Sequence, residues 1–263
     1  YLIFIMNWKL KSILQNNISL LPKSTSNLIY YFLQRNFGEL KTINPLPTIK
    51  TAISICNKIK NTGGELTNKT FIEIGTGRAP IAPIVYWLVG AKKIITIDIN
   101  KYLKKNIIKE SLSYIDKNQK EIILQFGSLL NQNRFNELLN FNNNSKFCLD
   151  KFLTLTNMEY KAPIDASKIN LKNHSVDYYT SISTLEHIPK IKLKNILYEG
   201  SRIIKKDGFF IHRIDYSDHF AHSDNKISEI NFLQFSNEEW NKFCNNNFMY
   251  MNRLRHDDFI NLL

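Results

Sequence analysis

FIEIGTGRAPIAP, residues 71–83, is the stretch that predicts the fold of this chain. Gly75 and Gly77, two of only nine glycines in 263 residues, follow an apolar run directly. That run indicates a strand near Thr70 to Gly75, and Pro80–Val89 reads as a buried helix. Glycines in a strand-to-helix turn let a ligand approach the backbone closely. The stretch therefore predicts a binding site for a small polar ligand.

The segments around this turn predict an α/β fold. A second strand is expected at 92–99, and two further strands at 176–183 and 208–215, with a helix over 191–204 and a turn at 205–208. Strands that alternate with helices form a Rossmann-like, doubly wound, mostly parallel sheet. In such sheets ligands bind beyond the carboxyl ends of the strands.

The remaining segments are mainly helical. Two domains are predicted: a helical cap over residues 1–64, and the sheet domain over 65–263 with a helical insertion at about 100–157. Within them, 140–146 is expected to be a polar loop and 249–255 a candidate strand. Because little else after residue 215 resembles a strand, we expect the last strands of the sheet to be missing.

Charge and hydropathy limit the classes of partner. The chain carries 35 Lys+Arg against 23 Asp+Glu, a formal net charge of +12. The basic residues are scattered, which favours solvated helix faces over a nucleic-acid surface; nucleic acid remains a partner that is not favoured. The apolar start, residues 1–8, is too short to span a bilayer, and we expect it to join the core.

Three cysteines, Cys56, Cys148 and Cys244, lie far apart and in no metal-binding spacing. This pattern indicates a reducing compartment without disulfides, and hence a cytoplasmic location.

An acid at the end of the second predicted strand suggests what kind of ligand binds. Asp98 follows the glycine turn by about twenty residues, where a carboxylate accepts both hydroxyls of a ribose. This fits a dinucleotide or S-adenosylmethionine. A dinucleotide turn would need a third glycine at position 80, where Pro80 stands. An acid at Glu73 also suits a cationic ligand better than a diphosphate.

The pattern Glu73-x-Gly75-x-Gly77 resembles the first motif of class I S-adenosylmethionine-dependent methyltransferases, type 11-like and of the small-molecule group. APIDAS at 162–167 and NHSVDYYTSISTLEHI at 173–188 are similar to later motifs of that family. Ala79 departs from it, because it replaces the third glycine of the fuller motif.

The resemblance implies S-adenosyl-L-methionine as cofactor. The turn and two serines would line its methionine part, Asp98 would hold the ribose, and Asp165 with the Ala166 backbone would bind the adenine, with Ile99 as an apolar face. The implied cofactor-binding residues are Glu73, Gly75, Thr76, Gly77, Asp98, Ile99, Asp165, Ala166, Ser181 and Ser183.

Candidate catalytic residues lie at or after the ends of the predicted strands at 176–183 and 208–215. A hydroxyl or amine acceptor must lose a proton, which suits a histidine base. His187 is one candidate, with a structural helix cap as the alternative. His219 and Asp215, in HRIDYSDHFAHSD at 212–224, are the others. A metal is the weaker interpretation of that stretch, because its spacing fits no tight metal signature, and none is predicted.

The leading hypothesis is a methyltransferase that acts on a small-molecule or glycan-type acceptor, by O- or N-methylation. An RNA methyltransferase is favoured only by the net charge. A non-enzyme alternative is a catalytically silent protein that binds S-adenosylmethionine. Ala79 and the missing strands favour this alternative. The acceptor and the oligomeric state are not predicted.

Overall fold

A computed structural model describes residues 6–144, 146–244 and 246–262. Its five strands form one sheet in the order β3-β2-β1-β4-β5, and every neighbouring pair is parallel. The strands are Thr70–Ile74 (β1), Lys93–Ile97 (β2), Met158–Lys161 (β3), Val176–Ile182 (β4) and Ile204–Arg213 (β5). This order confirms the predicted Rossmann-like α/β fold, with the change of direction between β1 and β4.

Helices precede the sheet and fill its connections. Three lie before β1, and four occupy the connection between β2 and β3, as predicted for the helical insertion. In chain order the α-helices of the described residues are Trp8–Ser19 (α1), Lys23–Phe37 (α2), Leu46–Asn61 (α3), Ile81–Leu88 (α4), Lys105–Lys117 (α5), Gln119–Phe126 (α6), Gln132–Asn144 (α7), Leu149–Leu155 (α8), Lys190–Ile203 (α9), Asn237–Cys244 (α10) and His256–Ile260 (α11).

The chain divides into two compact units. The sheet unit comprises Ile43–Leu185 and Lys194–Ile214 and contains all five strands. The helical unit comprises Tyr1–Thr42, Glu186–Leu193 and Asp215–Leu263.

Helix α4 is the centre of the sheet unit, and all eight of its residues are buried. It packs on β1 and β2 on one side and on α3 on another, so no face of it meets water. The ring of Tyr86 stacks on Phe71 of β1, with 4.6 Å between centroids. Arg134 donates to the carbonyls of Trp87 and Ala91 at 2.6 and 2.8 Å, which satisfies the end of the helix. This packing fixes the turn that joins β1 to α4.

The helical unit has an aromatic core. Trp8 packs against Phe220 and Trp240, with ring centroids 5.5 and 6.3 Å apart. Phe232 and Met251 are buried in the same cluster. Of the apolar start that was expected to join the core, Trp8 does so, and residues 1–5 lie outside the described residues.

Two local predictions in the sheet unit are wrong. Residues 205–208, predicted as a turn, belong to β5, because the Nζ of Lys205 reaches the Asp177 carboxylate at 2.8 Å and Gly208 lies against the backbone of β4. Residues 140–146 were predicted as a polar loop, but α7 extends to Asn144. Its earlier turns bury Phe135 and Leu138 against the core, and that burial outweighs the poor helix propensity of the asparagines.

The candidate strand at 249–255 is also wrong, since no strand lies there. Arg253 has a φ of +56°, which no strand accommodates. Its guanidinium donates to the carbonyls of Phe232 and Phe235, both at 2.8 Å, so this segment closes over the aromatic core as an irregular chain. After β5 the described residues contain no further strand.

Among residues 6–144, 146–244 and 246–262, no helix combines the length and apolar character that crossing a bilayer requires.

Candidate functional site

The turn after β1 needs both of its glycines, for different reasons. Gly75 and Gly77 have φ values of +90° and +66°, in the left-handed region that L side chains avoid. A Cβ on Gly75 would also overlap the side chain of Thr184, which follows β4. A Cβ on Gly77 would meet no atom within 4 Å. Gly75 thus lets two strand ends pack together, while the backbone at Gly77 borders open space.

The backbone N–H groups of this turn are already used inside the sheet unit. Gly75 and Thr76 donate to the carbonyl of Ile97 at 2.8 and 3.3 Å. Gly77 donates to Oδ2 of Asp98 at 2.9 Å. A pyrophosphate site offers such N–H groups to the ligand. This turn instead presents an acceptor, which argues against a phosphate-bearing ligand.

Asp98 is the buried acid at the end of β2. Its Oδ2 accepts from Gly77 and its Oδ1 accepts from the N–H of Asn100 at 2.8 Å. Burial raises the pKa of Asp98, although these two hydrogen bonds lower it in part. A carboxylate has about four lone-pair directions, so each oxygen retains capacity for one more donor. Asp98 can therefore hold the turn and accept two hydroxyls at once.

The loop after β3 lies beside Asp98. The N–H of Ile164 donates to the Asp98 carbonyl at 2.9 Å, and the N–H of Asp98 donates to the carbonyl of Lys161 at 3.1 Å. Asp165, which is exposed, and Ala166, which is buried, follow Ile164 directly, so this pairing places the two predicted adenine residues near Asp98. Ile99 is 55% exposed, an uncovered apolar side chain next to that acid.

Glu73 and Thr76 face the interior of the sheet unit. The carboxylate of Glu73 accepts from the Tyr86 hydroxyl at 3.2 Å and contacts the hydroxyl of Thr180. Burial raises the pKa of Glu73 to about 7. The Thr76 hydroxyl pairs with Thr96 at 2.6 Å. The prediction that Glu73 favours a cationic ligand stays a prediction.

The two predicted serines differ. Ser183 has a φ of +46° just after β4, and its N–H donates to the Arg213 carbonyl at 2.8 Å. Ser181 is fully buried, and its hydroxyl is 2.8 Å from Nδ1 of His212. The Nε2 of His212 is buried without a hydrogen-bond partner among the described residues. Burial lowers the pKa of His212 to about 4. The sequence showed this histidine only as the start of a polar stretch.

In the helical unit, the three predicted catalytic residues lie together with two residues that sequence reasoning missed. We name this group the histidine cluster; its members are Glu186, His187, Asp215, His219 and His222. The ring of His219 lies 4.8 Å from those of both His187 and His222, between centroids. The Asp215 Oδ2 is 3.5 Å from Nε2 of His219 and 3.7 Å from Nε2 of His222.

Burial keeps the imidazoles of His187 and His219 neutral. It lowers the pKa of His219 to about 4, and the neighbouring His187 and His222 lower it further against the opposing charge of Asp215. Burial also lowers the pKa of His187. Near neutral pH both rings thus carry a nitrogen lone pair, which suits a base or a metal ligand. The signal in the sequence was the spacing Asp215-x₃-His219-x₂-His222, which by itself matches no established motif.

The fold and the turn define a class: a Rossmann-like α/β domain with a glycine turn and a buried acid, Asp98, at its switch point. No family model matches the chain, and no curated protein matches it significantly.

Solved structures are similar to it at low identity. The YcgJ protein of Bacillus subtilis shares 14% identity at a TM-score of 0.37, over 64% of this chain and 51% of its own. A proposed S-adenosylmethionine-dependent methyltransferase of Methanococcus maripaludis shares 14% at a TM-score of 0.44, over 88% and 78%. Phosphoethanolamine N-methyltransferase 1 of Haemonchus contortus, in complex with phosphoethanolamine and S-adenosylhomocysteine, shares 16% at a TM-score of 0.37, over 80% and 33%.

The chain thus spans about half or less of the length of the first and third of these structures. Two of the three are described as methyltransferases, the class that the sequence motifs resemble. At TM-scores below 0.5, these likenesses assign no activity to this chain.

Proposed function

We propose that this chain is an S-adenosylmethionine-dependent methyltransferase that acts on a small-molecule or glycan-type acceptor. One observation carries the proposal. The N–H groups of Gly75 and Thr76 donate to the Ile97 carbonyl, and that of Gly77 donates to the Asp98 carboxylate, so the turn offers a ligand an acceptor and not these donors. The site is therefore suited to a ligand that donates hydroxyls and carries positive charge. A nucleoside sulfonium without phosphates has both properties.

Each part of the cofactor has proposed partners in the sheet unit. Asp98 accepts the ribose hydroxyls. Asp165 and the backbone of Ala166 bind the adenine edge, and the exposed side chain of Ile99 covers one face of the ring. The open space at Gly77 leaves room for the methionine part, with Ser183 at the neighbouring strand end.

When bound, S-adenosylmethionine supplies an electrophilic methyl group. Catalysis of its transfer depends mostly on positioning the acceptor in line with the breaking bond. We assign acceptor binding to Asp215 and His219, and removal of the acceptor proton to His187. The lowered pKa of His187 and of His219 keeps each ring in the basic, neutral form at neutral pH.

Calorimetry with S-adenosylmethionine, S-adenosylhomocysteine and NAD tests the cofactor. We expect binding of the first two and not of NAD. In Asp98→Ala the loss of hydrogen bonds to a charged acceptor weakens binding by about 1.5–3 kcal/mol per bond, so at least roughly tenfold. Asp207→Ala is the matched control, because Asp207 is an exposed acid of the same unit. Binding of NAD alone, or equal affinity in Asp98→Ala, would contradict the proposal.

Transfer of a labelled methyl group into a fractionated cell extract identifies the acceptor class. We expect label in the small-molecule or glycan fraction. Label confined to RNA would replace this acceptor with the nucleic-acid alternative.

A further inference from the structure

The strongest unassigned feature of the molecule is the part of the histidine cluster formed by one loop after β5. Asp215, His219 and His222 come within reach of a common point, with their candidate ligand atoms all within 4.8 Å of one another. The separations from Asp215 Oδ2 to the Nε2 atoms of His219 and His222 are 3.5 and 3.7 Å. Ligands about 2.0–2.1 Å from a tetrahedral zinc ion are roughly 3.3–3.4 Å apart. The loop therefore already approaches this spacing.

Neighbouring groups orient the carboxylate. The Oδ1 of Asp215 accepts from the N–H and from the hydroxyl of Ser217, at 2.8 and 2.6 Å. These bonds leave Oδ2 directed at the imidazoles. Hydrogen bonds that hold the second oxygen of a ligating carboxylate are a regular feature of metal sites.

The central imidazole has an unsatisfied nitrogen. The Nε2 of His219 is buried and has no hydrogen-bond partner among the described residues, although Asp215 Oδ2 lies 3.5 Å from it. A buried nitrogen left in this state costs free energy that a metal–nitrogen bond would recover. His187 lies against the same ring, and its Nδ1 is 2.8 Å from the Tyr250 carbonyl. Because a carbonyl only accepts, His187 carries its proton on Nδ1, which leaves the ring's lone pair on Nε2.

We propose that Asp215, His219 and His222 bind one divalent transition-metal ion, with Zn²⁺ as the expected metal. Two imidazole nitrogens and one carboxylate oxygen are ligands that zinc prefers, and three protein ligands leave a position open for solvent or an acceptor oxygen. To bind, His222 gives up the contact of its Nε2 with the Ser217 hydroxyl, now 3.0 Å, and carries its proton on Nδ1. His222 is the most exposed of the three side chains, at 42%, so it is free to make this adjustment.

Metal binding is measured on the full chain without S-adenosylmethionine, so its outcome is separate from that of the proposed cofactor. Titration with Zn²⁺ should show one ion per chain, and Co²⁺ should give the visible absorption of a four-coordinate site. In His222→Ala and His219→Ala we expect affinity to fall at least about a hundredfold. Ser217→Ala should lose roughly ten- to hundredfold, since only the orientation of Asp215 is affected.

His256→Ala is the matched control, because His256 is an exposed histidine of the same unit outside the cluster. It should bind zinc as the wild type does. Far-ultraviolet circular dichroism verifies that each variant is folded. Because His222 is the most exposed of the three ligands, its substitution should disturb the packing of the fold least. Absence of saturable binding in the wild type, or equal zinc affinity in wild type and His222→Ala, would overturn the proposal.

Discussion

The neighbours of Glu73 in the fold determine its protonation state. The single hydroxyl proton of Thr180 faces two acceptors, the Ile72 carbonyl at 2.9 Å and the Glu73 carboxylate. It can serve only one of them fully, so a proton on Glu73 completes the network. This geometry agrees with the pKa of about 7 that burial gives the carboxyl group. Between pH 4.5 and 7 the folded state thus retains a proton that the unfolded chain has released.

We therefore predict that Glu73 destabilises the fold as pH rises from about 4.5 to 7. The shift corresponds to up to about 3 kcal/mol in the free energy of unfolding. Glu73→Gln copies the protonated form and should lack this contribution. Urea denaturation of both proteins over this pH range measures it: the stability of the variant relative to wild type should increase with pH. A constant difference would show that the pKa of Glu73 is the same in the folded and the unfolded chain.

At the scale of the strands, Asp177 joins the beginnings of three neighbours in the sheet. It is a buried residue of β4, and its Oδ2 accepts from the N–H of Thr70, the first residue of β1, at 2.8 Å. Its Oδ1 accepts from the Nζ of Lys205, in β5, at 2.8 Å. This carboxylate accounts for the early start of β5, which the sequence pattern placed at 208.

Asp177→Ala should lower the free energy of unfolding by about 1–3 kcal/mol, because the Thr70 N–H is left unsatisfied and a charge-assisted bond is lost. Chemical denaturation measures the change. Asp207→Ala, at an exposed acid in the same strand, should change stability by less than about 0.5 kcal/mol. Equal effects of the two substitutions would mean that the Asp177 hydrogen bonds contribute nothing net.

For the molecule as a whole, the buried ring of His212 lowers the stability of the fold in acid. Burial lowers the pKa of His212 to about 4. Between pH 6.5 and 4, the imidazole is therefore protonated in the unfolded chain but stays neutral in the folded chain. The stability that the neutral ring provides is complete above pH 6.5 and is lost as pH falls toward 4. This trend opposes that of Glu73 over most of the same range.

We predict that the stability of His212→Asn relative to the wild type increases on acidification from pH 6.5 to 4, because the variant lacks the titrating ring. Asn is chosen because its amide can replace Nδ1 in the contact with Ser181. The measurement is the slope of unfolding free energy against pH, which separates the titration from any constant cost of the smaller side chain. Parallel slopes for the two proteins would exclude His212 as the responsible group.

How far the sequence predicted this molecule depends on the range of the interactions involved. The strand, turn and helix of residues 71–83 follow from a local pattern, because glycine conformation and apolar burial act over a few residues. The loop at 140–146 and the strand at 249–255 were predicted wrongly, because burial of Phe135 and the φ of Arg253 depend on distant contacts.

By itself, the sequence determined the mostly parallel α/β class, the glycine turn after β1 and the acid at the end of β2. Only the tertiary structure decided that the N–H groups of the glycine turn donate within the protein, that Glu73 faces Tyr86 and Thr180, and that five residues form the histidine cluster. The physical reason is that hydrogen bonds and desolvation depend on distances in space. Residues 73 and 180, or 187 and 219, come into contact only after the chain has folded.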